Sequence, residues 1–101
     1  MRPPLATRYS ETVSVAELTL IGKPGCHLCD DAREVIESVV NGLRNFPGAP
    51  ELVIQERSIM DDSAAYDQYV EDIPVVLING RVHTFWRVDP VRLRSALLGV
   101  R

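Results

Sequence analysis

The chain has 101 residues, of which 46% are hydrophobic and 25% charged, and its formal net charge is −3. This length allows one domain with one core, and the composition is that of an ordinary globular protein. The 11 basic residues are scattered along the chain, which argues against a nucleic-acid-binding surface. No segment has the length of a membrane span, and the first sixteen residues lack the apolar centre of a secretory signal. We therefore expect a cytoplasmic protein that binds neither nucleic acid nor membranes.

Seven secondary-structure elements are predicted in the order βαβ-α-ββα, within a domain over 16–101 that follows a polar tail over 1–15. They are a strand over 16–22, a helix from Leu28 that begins to unwind at Asn41-Gly42, a strand over 51–59, a short helix from Asp62 or Ser63 to Val70, strands over 73–78 and 81–88, and a helix from Asp89-Pro90. Asn79-Gly80 readily takes the positive φ angles of a type I′ hairpin turn. The final helix is expected to pack four side chains against the sheet: Val91, Leu93, Ala96 and Leu97.

Cys26 and Cys29 are the two cysteines of the chain, and their spacing is typical of redox or metal chemistry in a cytosolic protein. Cys26 follows a strand and a Pro-Gly turn, so we expect it at the N-terminus of the first helix. The unpaired N–H groups and the dipole of that helix stabilise a thiolate, which makes Cys26 the predicted nucleophile. Cys29 lies one helical turn later and begins to face inward, so it is the predicted resolving thiol.

Two questions about the surroundings of the thiols are the role of His27 and the possibility of a metal site. His27 either favours the Cys26 thiolate as an imidazolium or is an exposed polar residue, and the sequence leaves both interpretations open. A structural zinc needs four ligands, and the histidines are His27, poorly placed between the cysteines, and His83 on a distant strand. No metal site is therefore predicted in the monomer, and a cluster bridging two chains stays an alternative.

Three features of the sequence together resemble a known family. Lys23-Pro24-Gly25-Cys26-His27-Leu28-Cys29 meets the pattern K-x-x-C-x-x-C after a strand, Ile73-Pro74 opens the third strand, and the order of elements matches. Over 16–98 the chain resembles the glutaredoxin branch of the thioredoxin-fold superfamily. The resemblance implies an α/β thioredoxin-like fold, with a four-stranded mixed sheet and helices on both faces.

The resemblance also implies a function and its binding residues. It implies a thiol–disulfide oxidoreductase of cell redox homeostasis, which acts on disulfide-containing proteins or small thiols and is reduced by a glutathione or thioredoxin-type system. In glutaredoxins the proline is cis and faces the dithiol, and the backbone before it pairs with the substrate, which assigns these roles to Pro74 and Ile73. Lys23 corresponds to the lysine that contacts a glutathione carboxylate. With His27, these are the predicted substrate-binding residues: Lys23, His27, Ile73 and Pro74.

The sequence departs from the family pattern at two places. His27-Leu28 stands where glutaredoxins usually have Pro-Tyr, and the Gly-Gly-x-Asp glutathione site is absent between Gly80 and Asp89. No tightly bound cofactor is therefore expected, and glutathione is only a candidate reductant. In that interval Trp86 can wall a groove and Arg87 can capture a carboxylate, but packing is the favoured interpretation for large aromatic residues on a strand.

Two functions of other classes compete with the oxidoreductase. One is an iron–sulfur or metal carrier, against which the lack of a second cysteine pair argues. The other is a non-catalytic thioredoxin-fold binding module with an incidental dithiol. We expect the oxidoreductase to be a monomer, whereas the iron–sulfur alternative needs a cluster shared by two chains.

Overall fold

The computed structural model describes residues 14–100. Its elements are strand β1 (Val15–Gly22), helix α1 (His27–Leu43), strand β2 (Glu51–Ser58), helix α2 (Ser63–Tyr69), strands β3 (Val75–Ile78) and β4 (Arg81–Phe85), and helix α3 (Pro90–Leu98). The order βαβ-α-ββα is confirmed. Apart from residue 14 and the first residue of β1, the predicted polar tail over 1–15 lies outside the described residues.

The four strands form one mixed sheet in the order β2-β1-β3-β4. β1 runs parallel to β2 and antiparallel to β3, and β3 runs antiparallel to β4. The β3–β4 hairpin turns at Asn79 and Gly80, whose φ angles are 51° and 83°, as predicted for a type I′ turn. None of the helices within residues 14–100 is both long and apolar enough to cross a membrane.

Helices cover both faces of the sheet. Alternate side chains of a strand point to opposite faces, so a single strand contributes side chains to the apolar clusters on both sides. Leu18 and Leu20 of β1 belong to the larger apolar cluster, which also contains buried side chains of α1 and α3 such as Ile36 and Leu93. Ile21 of the same strand belongs to a second cluster with Ala65 of α2. The predicted α/β fold with helices on both faces is therefore confirmed.

Helix α1 is amphipathic, and its buried side chains recur at helical spacing: Cys29, Ala32, Ile36, Val39, Val40 and Leu43. The prediction that the helix begins to unwind at Asn41-Gly42 is wrong. Leu43 is buried in the core, and the N–H of Arg44 donates to the Val40 carbonyl at 3.0 Å, so packing holds the last turn in place.

Helix α3 begins where Asp89-Pro90 predicts it, with Asp89 as N-cap and Pro90 as its first residue. Leu93 and Leu97 are fully buried, with 0% of their surface exposed. Val91 is 72% exposed, so the prediction that it packs against the sheet is wrong. Two residues correspond to about 200° of rotation on a helix, so Val91 and Leu93 lie on opposite sides of α3.

Four strand boundaries differ from the predictions, the first being that of β1, which begins at Val15 and not at residue 16. β4 ends at Phe85 and not at Val88, because the next residue, Trp86, has a φ of 64° that cannot continue a strand. β3 begins at Val75, after Pro74, which has no N–H for the ladder. β2 ends one residue earlier than predicted, at Ser58.

Candidate active site

Cys26 is the N-cap residue of α1. Its backbone is extended, and its Sγ atom accepts a hydrogen bond from the backbone N–H of Cys29 at 3.1 Å. The sulfur thus takes the place that a Ser or Asp side-chain oxygen usually takes at a helix N-terminus. The free N–H groups of the first turn and the positive end of the helix dipole stabilise negative charge at this position. Cys26 is also partly exposed, unlike the core residues of α1.

Cys29 lies one turn further along α1, with only 1% of its surface exposed. The two cysteines form a disulfide with a Cα–Cα distance of 5.2 Å, which is within the usual range for such bonds. Cys26 is therefore the more exposed of the two cysteines, and Cys29 is held within bonding distance behind it.

The turn Lys23-Pro24-Gly25 carries the chain from β1 to the dithiol. Gly25 has a φ of 74°, a left-handed conformation that glycine adopts without a steric penalty. Lys23 is exposed and lines a cleft of about 330 Å³ that reaches Cys29, with Arg57 and Asp61 on its other walls. The structure thus brings Lys23 and Cys29, the buried member of the disulfide, to the same cleft.

Arg33 neutralises acidic charge close to the dithiol. Its guanidinium donates to both carboxylate oxygens of Glu56, at 2.8 and 3.0 Å, and to the carboxylate of Asp30 at 2.9 Å. The hydrogen bonds to Glu56 and then to Asp30 raise the pKa of Arg33 above its ordinary value, so the side chain stays charged. Asp30 lies in the first turn of α1, and the ion pair offsets its opposition to a thiolate at the N-cap.

The predicted substrate-binding residues Ile73 and Pro74 lie at the end of the sheet from which this turn departs. The peptide bond between them is cis, and Pro74 is buried. In the antiparallel ladder of β1 and β3, Ile21 lies opposite Val75. The next positions in this register are Gly22 and Pro74, so the proline lies beside the C-terminal end of β1.

Trp86 and Arg87 follow β4 and line a small cleft of about 180 Å³ together with Leu28 and Asp31 of α1. The surface of Trp86 is 53% exposed, so it is not a core residue, which contradicts the favoured packing interpretation. Trp86 has a left-handed backbone and shares the cleft with Leu28, which lies between the two cysteines in the sequence.

His27 is the first residue of α1 and is exposed, so both interpretations of its role stay open. His83 lies in β4 and lines a different cleft, with Ile78 and Val100, that includes neither cysteine. In the part of the chain that the structure describes, no three His, Cys, Asp or Glu side chains are grouped to hold a metal ion.

Gly22 is the residue of this site that the sequence analysis missed. It ends β1, and its Cα faces the sulfur of Cys29 with no side chain between them. A glycine inside a strand often marks a close approach by another group, and this signal was present in the segment ELTLIG.

Residues 17–98 match the family described as Glutaredoxin-like domain (DUF836). The chain belongs to this glutaredoxin-like family. It is also similar to a solved structure described as the X-ray structure of Northeast Structural Genomics target protein XcR50 from X. campestris. That chain is 32% identical, the TM-score is 0.61, and the match covers 79% of this chain and 93% of that chain. The glutaredoxin-like domain therefore has the thioredoxin-like fold that the sequence predicted, and it carries its C-x-x-C pair as a disulfide.

Proposed function

We propose that this glutaredoxin-like domain is a thiol–disulfide oxidoreductase in which Cys26 is the nucleophile and Cys29 the resolving thiol. The observation that carries the proposal is the different environment of the two sulfurs. Cys26 caps α1 and is half-exposed, whereas Cys29 is buried one turn behind it and bonded to it. A dithiol built for exchange needs one accessible thiolate and one shielded thiol that attacks only afterwards.

The reaction proceeds in two exchanges. The Cys26 thiolate attacks one sulfur of the substrate disulfide, which forms a mixed disulfide and releases the other substrate sulfur as a thiolate. Cys29, after losing its proton to solvent, attacks the Sγ of Cys26 in this mixed disulfide. The Cys26–Cys29 bond forms, and the remaining substrate sulfur leaves with the electron pair and takes up a proton. In sum, the substrate disulfide is reduced by two electrons and the domain is oxidised by two.

The substrates that fit this site are disulfides of proteins or small thiols. The Lys23 cation lies in the cleft that reaches Cys29, and the Pro24-Gly25 turn separates it from Cys26 in the sequence. It supports an anionic substrate group or the thiolate itself, and His27, beside Cys26 in the sequence, is exposed. An extended substrate segment pairs with the backbone at Ile73, next to Pro74. This assignment follows the family resemblance and the position of Ile73 and Pro74 beside the C-terminal end of β1, from which the turn to Cys26 departs. The reducing cytoplasm is the compartment in which such a dithiol is regenerated.

The decisive experiment compares single serine variants in the reduction of a model disulfide. Cys26→Ser should abolish turnover, because the attacking thiolate is lost. Cys29→Ser should retain the first attack and accumulate a mixed disulfide at Cys26, visible by intact mass. Circular dichroism of both reduced variants checks that the fold is kept. Turnover retained in Cys26→Ser, or no mixed disulfide in Cys29→Ser, would falsify the assignment.

The same assay identifies the electron donor. Turnover is measured with glutathione plus glutathione reductase, and separately with a thioredoxin reductase system. Trp86 and Arg87 occupy the interval in which the family places its glycine-pair glutathione site, so we expect the thioredoxin-type system to support faster turnover. Faster turnover with glutathione would show that glutathione is bound without the glycine pair.

A further inference from the structure

Gly22 lies directly behind the sulfur of the buried cysteine. A Cβ atom at position 22 would lie 2.8 Å from the Sγ of Cys29 and 3.2 Å from its Cβ. Non-bonded carbon atoms are most stable at about 3.5 to 4.0 Å, and sulfur is larger than carbon, so any side chain here would collide with Cys29. The absence of a side chain at Gly22 leaves the space that the Cys29 sulfur occupies.

The backbone at Gly22 gives no other reason for glycine. Its φ is not positive, unlike those of Gly25, Gly48 and Gly80. Gly22 pairs with Ser58 in the regular parallel ladder of β1 and β2, and its carbonyl accepts the N–H of Ile59 at 2.9 Å. Glycine weakens a strand by its conformational entropy, and a residue with a side chain would normally be favoured at such a position. The contact with Cys29 therefore accounts for the glycine.

The Cys29 sulfur cannot simply move aside in the oxidised state. It is bonded to Cys26, whose position is fixed as the N-cap of α1. The helix itself is held against the sheet by Ala32 and Ile36, each with 2% of its surface exposed. A side chain at position 22 would therefore displace the sulfur from its bonding position.

We propose that Gly22 is a positioning residue for the resolving thiol: by having no side chain, it lets the Cys29 sulfur reach Cys26. This inference rests on the proposed dithiol exchange. The affected step is the second one, in which the Cys29–Cys26 bond forms and the bond between Cys26 and the substrate sulfur breaks. The first attack, by Cys26 on the substrate disulfide, does not involve the Cys29 sulfur and is unaffected.

The equilibrium test is Gly22→Ala, equilibrated with a dithiothreitol redox buffer and analysed for the fraction of Cys26–Cys29 disulfide. The added methyl group disfavours the oxidised form, so the equilibrium constant for disulfide formation should fall at least about tenfold, or about 30 mV for a two-electron couple. Gly42→Ala is the matched control, since no atom outside the local helix backbone lies within 4 Å of a Cβ at that position. An unchanged constant in Gly22→Ala, or the same fall in Gly42→Ala, overturns the proposal.

The kinetic test separates the two steps of exchange. Gly22→Ala should slow the release of substrate from the mixed disulfide at least about tenfold, while the rate at which Cys26 is alkylated by iodoacetamide changes less than about twofold. Equal slowing of both steps would assign Gly22 to the general integrity of the site and contradict its role toward Cys29.

A third variant keeps the proposal testable if Gly22→Ala folds poorly. Cys29→Ala removes the sulfur, so Gly22→Ala should be tolerated better in that background than in the parent, as judged by thermal unfolding of the reduced proteins. Equal destabilisation in both backgrounds overturns the proposal. The equilibrium constant is measured without any substrate, so it tests the role of Gly22 independently of turnover. A parent protein that turns over no disulfide would refute the proposed function, but the constant would still fall in Gly22→Ala.

Discussion

The backbone N–H of Trp86 donates a hydrogen bond to the carbonyl of Pro74 at 2.7 Å, which ties the end of β4 to the residue before β3. The indole N–H of Trp86 donates in addition to the carbonyl of Glu71 at 3.3 Å. Trp86 holds a left-handed φ of 64°, a conformation that costs a residue with a side chain roughly 1–2 kcal/mol. The two hydrogen bonds offset this cost and fix the exposed indole beside the C-x-x-C motif.

Replacing Trp86 with Phe tests the indole hydrogen bond. The variant keeps an aromatic ring at this position but has no N–H to donate to the Glu71 carbonyl, so the free energy of unfolding should fall by about 0.5 to 1.5 kcal/mol. Urea denaturation, monitored by circular dichroism, measures the change. It should lower the urea concentration at the midpoint of unfolding and leave the dependence of the free energy of unfolding on urea concentration unchanged. Tyr66→Phe, which removes a polar atom from another exposed aromatic residue, is the control. Equal losses in the two variants would contradict a specific role for the indole N–H.

Local sequence signals predicted the features of this fold that depend on neighbouring residues. Asn79-Gly80 marked its turn and Asp89-Pro90 its helix start, because turn and cap preferences act over a few residues. The same holds for Cys26 at the start of α1, since the Lys-Pro-Gly turn fixes where the strand stops. These signals located the dithiol and explain why its position was predictable without the structure.

Features set by contacts between distant residues were not predictable. The left-handed φ of Trp86 depends on hydrogen bonds to the segment before β3, and nothing next to Trp86 in the sequence signals it. The contact between Gly22 and Cys29 joins the end of β1 to the inner face of α1. The last turn of α1 forms despite Asn41-Gly42 because Leu43 is buried in the core, so tertiary packing overrides a local preference.

Asp89 stabilises α3 as its N-cap. One of its carboxylate oxygens accepts the N–H groups of Val91 at 2.8 Å and of Arg92 at 3.3 Å. Asp89→Ala leaves both donors without this partner and should lower the free energy of unfolding by about 1 kcal/mol, within a usual range of about 0.5 to 2. Asp67→Ala removes an exposed carboxylate from α2 that caps no helix and should change stability by less than about 0.5 kcal/mol. Chemical denaturation at neutral pH compares the two variants, and equal effects would contradict the capping role.

The stability of the domain should decrease below neutral pH in part through His83. Its Nε2 atom is shielded from solvent and has no hydrogen-bond partner within residues 14–100. Burial, and to a lesser extent the cation of Arg92, lowers the pKa of His83 below its ordinary value of 6.5. The unfolded chain therefore binds this proton first as the pH falls, and the free energy of unfolding decreases from about pH 6.5 downward.

The variant His83→Gln tests this pH dependence. Unfolding by urea is measured between neutral and mildly acidic pH, and the decrease in stability should be smaller in His83→Gln than in the parent. The comparison is kept to mildly acidic pH, because at lower pH the carboxylates of both proteins also titrate and change the stability of both. Parallel profiles for the two proteins would show that His83 does not contribute to acid sensitivity.

Replacing Arg33 should affect both the stability of the domain and the reactivity of Cys26. Its ion pairs with Glu56 and Asp30 lie at the surface, where such pairs contribute about 0 to 1 kcal/mol, so Arg33→Gln should lower stability by no more than about 1 kcal/mol. The effect on Cys26 should be more specific. Without the guanidinium, the carboxylate of Asp30 is uncompensated in the first turn and opposes a thiolate at the N-cap.

Arg33→Gln should therefore slow the alkylation of reduced Cys26 by iodoacetamide at neutral pH by about two- to fourfold, and adding Asp30→Asn should restore the parent rate. High salt should shrink the difference between Arg33→Gln and the parent, because exposed charges are screened. Asp31→Asn in the Arg33→Gln background is the matched control: it removes the neighbouring carboxylate, which is not a partner of Arg33. If the rate recovered equally with either aspartate replaced, the general charge of the first turn would govern Cys26, and the Arg33–Asp30 pair would have no specific part in it.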